Sequence, residues 1–347
     1  MGADGRPDAT ITERAVYVAD AELAGAAQGL QHEFPELRML THGADPAAAA
    51  AIITQEARIG ADLWEQAPAA RLLLKLGRVY DHVDVDAVRA RGARFGLVPR
   101  KGPNCVAELA MTLILALSKD LVMAHRAVAE GAYRWRGLRP VRTSQWVMAF
   151  RWTAPARLHE VRGKVLGCVG FGEIGCELAL RAQALGMRVV YTRRHRLPPA
   201  LEHRYGVEYR DLLHLFDESD YVCLAVPHTA DTDRMIGAEH LRRLGPNGYL
   251  VNVARGGIVD EDALISALRD GTIAGAGLDV FTYEPLPADS PLCRLDNVIL
   301  TPHIGGGSGT NRELELREAL EEARRALSGA PLTHPVVETL RHPGLRP

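Results

Sequence analysis

Short apolar segments alternate with amphipathic stretches between residues 15 and 98. The apolar segments have the length of buried strands, and the stretches between them repeat their apolar residues at helical spacing. This alternation predicts an α/β domain with a parallel sheet, because parallel strands are connected through helices. The predicted strands are 15–18, 51–53 and 72–76, and the predicted helices lie near 22–32 and 61–66.

A second alternating series follows between residues 165 and 300. Its predicted strands are 165–169, 188–191, 221–226, 249–253, 275–279 and 298–300, and its predicted helices are 174–185 and 261–269. Between the two series, residues 104–130 predict one long helix that Asn104 caps and that is buried between two domains. Residues 312–327 predict a further helix, which carries the chain back toward the first domain after the glycine run at 305–307.

The chain therefore passes twice between two predicted domains. With 347 residues it exceeds the size that a single hydrophobic core usually reaches. The predicted fold class is α/β, with two doubly wound parallel-sheet domains (Rossmann or flavodoxin-like) and a two-segment hinge. We expect one domain of residues 1–104 and 306–347 and a second domain of residues 105–305.

Composition narrows the function classes. The net charge of -2 argues against nucleic acid or a membrane surface as partner, and the longest apolar stretches are too short to cross a bilayer. The amino terminus has no secretory signal pattern, and the 5 cysteines are dispersed among apolar neighbours, so we expect reduced thiols and a cytoplasmic protein. The 13 histidines show no paired ligand spacing, so no metal site is predicted.

The most specific motif is a GxGxxG turn that follows the predicted strand 165–169 and opens the next predicted helix. Gly170 permits a tight turn, Gly172 lets the backbone approach a pyrophosphate, and Gly175 allows the helix to pack closely on the strand. The free amides of the helix start, at Glu173 and Ile174, then face the phosphates. The carboxylate of Glu173 would weaken phosphate binding unless it points away.

The choice of nicotinamide cofactor depends on the end of the second strand, where a carboxylate would hold the ribose 2′-hydroxyl of NAD. Thr192 occupies that place, and Arg193 and Arg194 follow it. An arginine there can form paired hydrogen bonds to the 2′-phosphate of NADP. We therefore predict NADP(H) in preference to NAD(H); the alternative is that the two arginines form a solvated surface pair.

Three residues downstream carry the candidate chemistry. Arg255, Glu284 and His303 each follow a predicted strand, and ligand sites in parallel sheets lie at the carboxyl ends of strands. Reduction of a 2-keto acid needs a cation for the substrate carboxylate, a proton donor for the carbonyl oxygen and a group that keeps the donor charged. Arginine, histidine and glutamate supply these roles in that order.

The glycine turn and the spacing of the three residues resemble the D-isomer-specific 2-hydroxyacid dehydrogenases, most strongly between residues 163 and 307. The resemblance implies hydride transfer between the cofactor and a small 2-hydroxy or 2-keto acid. We expect the active site in a cleft between a substrate-binding domain, residues 1–104 and 306–347, and a dinucleotide-binding domain, residues 105–305. A homodimer joined through the dinucleotide-binding domains is implied as well. It implies that Asp279 contacts the nicotinamide carboxamide. It also implies that the cofactor is lined by Pro227, Val253 and Gly305.

Two substrate-side loops depart from the family pattern. At the first, Arg78 replaces a small apolar residue and Val79 replaces a glycine; at the second, Arg100 and Lys101 occur and the usual asparagine is missing. We infer that Arg78, helped by Arg100 or Lys101, binds a second anionic group on the substrate. The alternative is that these cations pair with acidic residues of the protein.

Residues 133–155 are too long and apolar for an ordinary linker. They contain Trp135, Trp146, Phe150 and Trp152 among several arginines, a composition typical of interface anchors. We expect an arm that reaches across a homodimer; the alternative is a loop packed on its own domain.

The sequence is compatible with three functions. The first is an NADP(H)-dependent 2-hydroxyacid dehydrogenase, including one whose substrate carries a second anionic group. The second is a dinucleotide-binding interaction protein similar to the corepressors of the same family. The third is a dehydrogenase of phosphite or phosphonate metabolism, which the basic residue at Arg78 favours.

Overall fold

Two predominantly parallel β-sheets organise the chain, one in each of two units. The computed structural model describes residues 14–147, 152–153, 158–306 and 312–337. The first unit consists of Met1–Lys101 and Ser308–Pro347, and the second of Gly102–Gly307. None of the helices in the described ranges is long and apolar enough to span a membrane.

The strands and helices alternate along most of the chain. The strands are β1 (Arg14–Val18), β2 (Leu37–Thr41), β3 (Ala49–Thr54), β4 (Leu72–Leu76), β5 (Arg94–Val98), β6 (Val165–Val169), β7 (Arg188–Thr192), β8 (Val207–Tyr209), β9 (Tyr221–Leu224), β10 (Tyr249–Asn252), β11 (Gly275–Leu278), β12 (Val298–Leu300) and β13 (Pro335–Val337). The helices are α1 (Ala24–Leu30), α2 (Ala61–Gln66), α3 (Val85–Ala90), α4 (Lys101–Ser118), α5 (Leu121–Ala129), α6 (Glu173–Ala184), α7 (Pro199–Tyr205), α8 (Leu212–Glu218), α9 (Ala238–Leu244), α10 (Glu261–Arg269) and α11 (Arg312–Leu327).

The sheet of the first unit has the strand order β13-β5-β4-β3-β1-β2. Strands β1 to β5 pair in parallel, and β13 joins the edge antiparallel to β5. Helix α11 packs its apolar face, including the fully buried Leu316 and Leu320, into the core beneath β3 and β4. The carboxyl ends of β4 and β5 lie side by side, so the loops that carry Arg78 and Arg100 share one edge of this sheet.

The sheet of the second unit has seven parallel strands in the order β12-β11-β10-β9-β6-β7-β8. Its central strands are completely buried, because helices cover both faces of such a sheet. Asp211 and Asp260 cap helices α8 and α10 by accepting backbone N–H groups with their side chains. The chain order reverses around β6, which has β7 on one side and β9 on the other, and ligands bind at such a switch point.

Most predicted elements are confirmed, but the single helix over 104–130 is wrong. Helix α4 ends at Ser118, and Asp120 adopts a left-handed conformation with φ 49° before α5 begins. Aspartate is one of the few side chains that tolerate this conformation, so the chain can break there. Asn104 is no cap either: α4 begins at Lys101, and the Asn104 side chain donates to Glu108 at 3.1 Å within the helix.

The predicted arm is partly described. Tyr133 and Trp152 make an edge-on ring contact at 6.1 Å, whereas Trp135 and Trp146 are 79% and 87% exposed. Phe150 lies outside the described residues. The arm therefore presents two large aromatic side chains to the surface of this chain.

Candidate active site

The glycine turn between β6 and α6 has the geometry that a dinucleotide requires. Gly170 has φ 94°, and a Cβ there would lie 2.5 Å from the carbonyl oxygen of Ala225. A Cβ at Gly175 would lie 2.7 Å from the Gly170 carbonyl oxygen, so this glycine permits close helix packing. A Cβ at Gly172 would meet nothing within 4 Å, which leaves open space beside the first amides of α6. This cradle fits a pyrophosphate group.

The turn also contains the two other residues predicted to bind the cofactor there. Glu173 and Ile174 form the first turn of α6, and both are partly exposed. Their position at the helix start agrees with amides directed at a phosphate.

The end of β7 lies directly beside this turn, because the Gly170 N–H donates to the Thr192 carbonyl oxygen at 2.9 Å. Arg193 follows and is partly buried, and Arg194 is 74% exposed. The guanidinium of Arg194 is 3.9 Å from the carboxylate of Asp231, which is itself 85% exposed. An ion pair between two exposed side chains contributes little to the free energy of unfolding. Because its side chain is exposed and only weakly paired, Arg194 is accessible to a ligand.

The three predicted catalytic residues follow neighbouring strands of the same sheet. Arg255 follows β10, Glu284 follows β11 and His303 follows β12. The structure brings two of them into contact: His303 Nδ1 is 2.6 Å from Glu284 Oε2. Both residues line a cavity of about 470 Å³, together with the apolar side chains of Phe281 and Leu300.

Glu284 is held in its ionised form. Partial burial would raise the pKa of its carboxyl group, but several contacts act in the opposite direction. These are the hydrogen bonds from His303 and from the Phe281 N–H, at 2.6 and 3.0 Å, and the positive charges of His303 and Arg255. Together they outweigh burial and lower the pKa of Glu284 below its ordinary value. The carboxylate can therefore orient the imidazole and stabilise its charged form.

The backbone at His303 is in the left-handed region, with φ 53°. Asp279, only 1% exposed, holds this loop: its carboxylate accepts the N–H groups of Ile304 and Gly305 at 2.9 and 2.8 Å. It also accepts the Thr301 hydroxyl at 2.6 Å, and its own carbonyl accepts the His303 N–H at 2.9 Å. These bonds stabilise the conformation that aims His303 at Glu284. Asp279 was predicted to contact the nicotinamide, and neither its hydrogen bonds within this loop nor that of Thr301 was predicted.

Arg255 lies on a turn that Asn252 organises. The buried Asn252 side chain donates to the Arg255 carbonyl at 3.0 Å and accepts the Ala254 N–H at 3.0 Å. The Arg255 side chain is exposed, and its Nη1 donates to the Ala254 carbonyl at 2.6 Å. The role of Asn252, the last residue of β10, was not predicted, because it depends on hydrogen bonds within the turn.

Two further residues that were predicted to line the cofactor lie at the same edge of this sheet. Pro227 follows β9 and is exposed, and Val253 follows β10 and is buried. Strands β9 and β10 are adjacent, so these residues lie between the glycine turn on β6 and the histidine loop after β12. No cluster of three or more potential metal ligands occurs in the part of the chain that the structure describes.

The predicted substrate residues lie in the first unit. Arg78 and the buried Val79 follow β4, where the Gly77 N–H donates to the Val98 carbonyl at 2.7 Å. Arg100 and Lys101 follow β5, and both are paired within this unit. Arg100 Nε is 2.9 Å from the buried carboxylate of Glu315 in α11, and Lys101 Nζ is 2.7 Å from Glu318. For these two cations, pairing with acidic residues of the protein is the arrangement found.

Comparison with known proteins gives one consistent family. The profile of the D-isomer specific 2-hydroxyacid dehydrogenase family, NAD binding domain, matches residues 111–305. A glyoxylate reductase from Pyrococcus furiosus is 36% identical over 312 residues, which are 90% of this chain and 87% of that protein. A glyoxylate/hydroxypyruvate reductase B from Erwinia tasmaniensis is 36% identical over 279 residues, 80% of this chain and 82% of that protein.

A solved structure supports the same relationship. The NADPH-dependent glyoxylate/hydroxypyruvate reductase from Sinorhizobium meliloti, in complex with NADP and malonate, is 28% identical to this chain. The alignment has a TM-score of 0.50 and covers 94% of this chain and 98% of that one.

Proposed function

The chain belongs to the D-isomer specific 2-hydroxyacid dehydrogenase family, and we propose that it works as an NADP(H)-dependent reductase of small 2-keto acids. The observation that carries the proposal is the His303–Glu284 contact of 2.6 Å at the sheet edge that also bears Arg255 and the glycine turn. A proton donor, its charged partner and an exposed arginine are therefore present at the edge where parallel sheets bind ligands.

Each side chain has a separate task in the proposed reduction. The first amides of α6 would hold the pyrophosphate, and the nicotinamide, when bound, supplies the hydride. Arg255 binds the carboxylate and polarises the keto oxygen of the substrate with its planar guanidinium. His303 donates a proton to that oxygen, and Glu284 stabilises the protonated imidazole before the transfer. In the oxidative direction His303 accepts the hydroxyl proton.

A panel of 2-keto acids tests this function. Glyoxylate, hydroxypyruvate and dicarboxylic keto acids are offered with NADPH, and loss of the nicotinamide absorbance is followed. Turnover of at least one acid is expected. Nucleotide binding without turnover of any acid would favour the interaction-protein alternative. Oxidation of phosphite with NADP⁺ but no keto-acid reduction would favour the third candidate.

The preference for NADP(H) rests on the end of β7. Thr192 carries no charge that would repel a 2′-phosphate, and Arg193 and Arg194 follow it beside the glycine turn. The reductase from Sinorhizobium meliloti was solved with NADP, which agrees with this choice. We infer that the two guanidinium groups bind the 2′-phosphate with charge-assisted hydrogen bonds.

Substitution of both arginines by alanine should raise KM for NADPH by about 10²–10⁴-fold, since each of the two lost bonds to a charged group costs roughly 1.5–3 kcal/mol. KM for NADH should change little. Arg196→Ala is the matched control, because the Arg196 guanidinium is already engaged with Glu202 through two bonds of 2.8 Å. A wild-type preference for NADH would contradict the proposal.

The substrate is proposed to carry a second anionic group that Arg78 binds. Arg78 follows β4 at the same sheet edge as Arg100, and it stands where the family pattern has a small apolar residue. The reductase from Sinorhizobium meliloti was solved in complex with malonate, which is a dicarboxylate. A substrate with a second anionic group agrees with both observations.

Arg78→Ala should raise KM for a dicarboxylic keto acid by about tenfold or more, because one charge-assisted hydrogen bond is lost. KM for glyoxylate, which has one carboxylate, should change far less. Arg89→Ala is the control, since Arg89 is 61% exposed on α3 and pairs with Asp86. Equal effects of Arg78→Ala on both substrates would remove Arg78 from substrate recognition.

We also propose a homodimer. The proposal is supported by four exposed large apolar side chains, which are Trp135 and Trp146 of the arm and Leu121 and Val128 of α5. Light scattering at micromolar concentration distinguishes a dimer from a monomer.

A further inference from the structure

A second histidine–carboxylate pair lies at the carboxyl end of β9, outside the catalytic set. His228 Nε2 is 2.8 Å from Asp233 Oδ1, and the two side chains are 39% and 55% exposed. The loop that joins them is folded on itself: the Thr232 hydroxyl donates to the Pro227 carbonyl at 2.8 Å, and the Asp233 N–H donates to the Thr229 carbonyl at 2.9 Å. Asp233 therefore fixes the orientation of the imidazole.

The imidazole of His228 lies against the α-carbon of Gly257, two residues after Arg255. A methyl group at position 257 would lie 2.6 Å from His228 Cε1 and 2.8 Å from Nε2. These distances are far below van der Waals contact, so no other residue fits at 257 while the ring is in place.

The neighbouring Gly256 is confined as well. A methyl group there would lie 1.9 Å from the carbonyl carbon of Phe281. Two consecutive glycines give the Arg255 turn an unusually large conformational freedom. The backbone of Phe281 restricts the first glycine, and the ring of His228 restricts the second.

The two loops are also joined through their backbones. The Arg234 N–H donates to the Gly257 carbonyl at 2.7 Å, and the Ile236 N–H donates to the Ile258 carbonyl at 3.1 Å. The Asp260 N–H returns a bond to the Ile236 carbonyl at 2.9 Å, and the Arg234 guanidinium pairs with the Asp260 carboxylate at 2.7 Å. A shift of the His228 loop would therefore be transmitted to the turn that carries Arg255.

We propose that His228, held by Asp233, is a positioning residue that sets the place of Arg255 for the substrate carboxylate. The proposal rests on the substrate-binding role assigned to Arg255 above. Asn252 fixes the start of the turn through the Arg255 carbonyl, and His228 fixes its far side at Gly257. Because the guanidinium must meet a carboxylate with a defined geometry, a small displacement of the turn weakens substrate binding.

His228→Ala tests the proposal through the separate kinetic constants. KM for the 2-keto acid should rise about tenfold, since misplacement by ~1 Å costs up to ~10²-fold. The Kd for NADPH, measured by fluorescence titration, and Tm should change little. Asp233→Asn, which keeps a hydrogen-bond acceptor for the ring, should behave like the wild type, whereas Asp233→Ala should resemble His228→Ala.

A size-exchange experiment tests the contact itself. Gly257→Ala should raise KM for the 2-keto acid more than His228→Ala does, because the new methyl group pushes the ring and the turn apart. Adding His228→Ala to Gly257→Ala should restore part of the loss, since it vacates the space at 2.6 Å.

Three results would overturn the inference: an unchanged KM in His228→Ala, no recovery in the double variant, or a rise in the NADPH Kd that equals the rise in KM. None of these three results concerns reduction of the keto acid by the wild type, so the proposed reductase function would not be contradicted. A wild type that reduces no 2-keto acid would overturn both together.

Discussion

Replacement of His303 by asparagine is expected to lower kcat for 2-keto acid reduction by ~10²–10⁴-fold, the usual contribution of a general acid. Asparagine is the substitution of choice because position 303 has φ 53°, a left-handed conformation that asparagine also tolerates. The loop that Asp279 holds through Ile304 and Gly305 should therefore keep its shape. Steady-state kinetics give kcat, and fluorescence titration gives the Kd for NADPH.

The Kd for NADPH should stay near the wild-type value, since the loss concerns proton transfer and not nucleotide binding. A kcat close to that of the wild type would show that another group donates the proton. Glu284→Gln is the companion variant. It keeps a hydrogen bond to His303 but removes the negative charge that stabilises the protonated imidazole, so its kcat for reduction should fall below that of the wild type.

The ionised carboxylate of Glu284 contributes to the pH dependence of the wild-type rate. The pKa of Glu284 lies below its ordinary value, so its carboxylate remains ionised throughout the pH range in which histidines titrate. The carboxylate contribution is lost only at acid pH, as the pH falls through the lowered pKa of Glu284.

The fold of the second unit followed closely from the sequence because its strands are buried on both faces. Such strands appear as continuous apolar runs, and the central strand 165–169 has the bounds predicted. Of the four edge strands, β12 was located with the bounds predicted, and the other three were not located individually. β2, β8 and β13 are short or partly exposed, so their polar and apolar residues mix and give no clear period.

The break between α4 and α5 could not be read from hydrophobic periodicity. Apolar residues recur on both sides of Asp120, and only the left-handed backbone at that residue separates the helices. Periodicity reports which face of a helix is buried, whereas a change of direction at one residue depends on local dihedral angles. The same limit explains why Asn104 was predicted as a cap and lies inside α4.

The proposed catalytic residues could be predicted from the sequence, but the residues that hold them in place could not. Arg255, Glu284 and His303 follow strand ends, which is a property of the sequence order. Asn252 and Asp279 act through hydrogen bonds whose partners depend on the exact loop geometry. The contact of His228 with Gly257 joins two loops on adjacent strands, and no spacing rule connects positions from different loops.

Substitution of Arg255 should have the second large effect. Arg255→Ala is expected to lower kcat/KM for a 2-keto acid by roughly 10²–10³-fold, because it removes a donor that stabilises the developing charge on the keto oxygen. Arg255→Lys keeps the positive charge but loses the planar fork that binds a carboxylate through two bonds, so its kcat/KM should lie between those of Arg255→Ala and the wild type. The NADPH Kd should not change in either variant.

Arg242→Ala is the matched control, since Arg242 is an exposed arginine on α9 of the same unit. Loss of kcat/KM in Arg255→Ala with a wild-type response in Arg242→Ala would assign the effect to position 255 and not to net charge. If Arg255→Lys restored full activity, a point charge would suffice and the paired geometry would be wrong. The hydrogen bond from the buried Asn252 to the Arg255 carbonyl would then be unnecessary for substrate binding, because that bond fixes the direction of the Arg255 side chain.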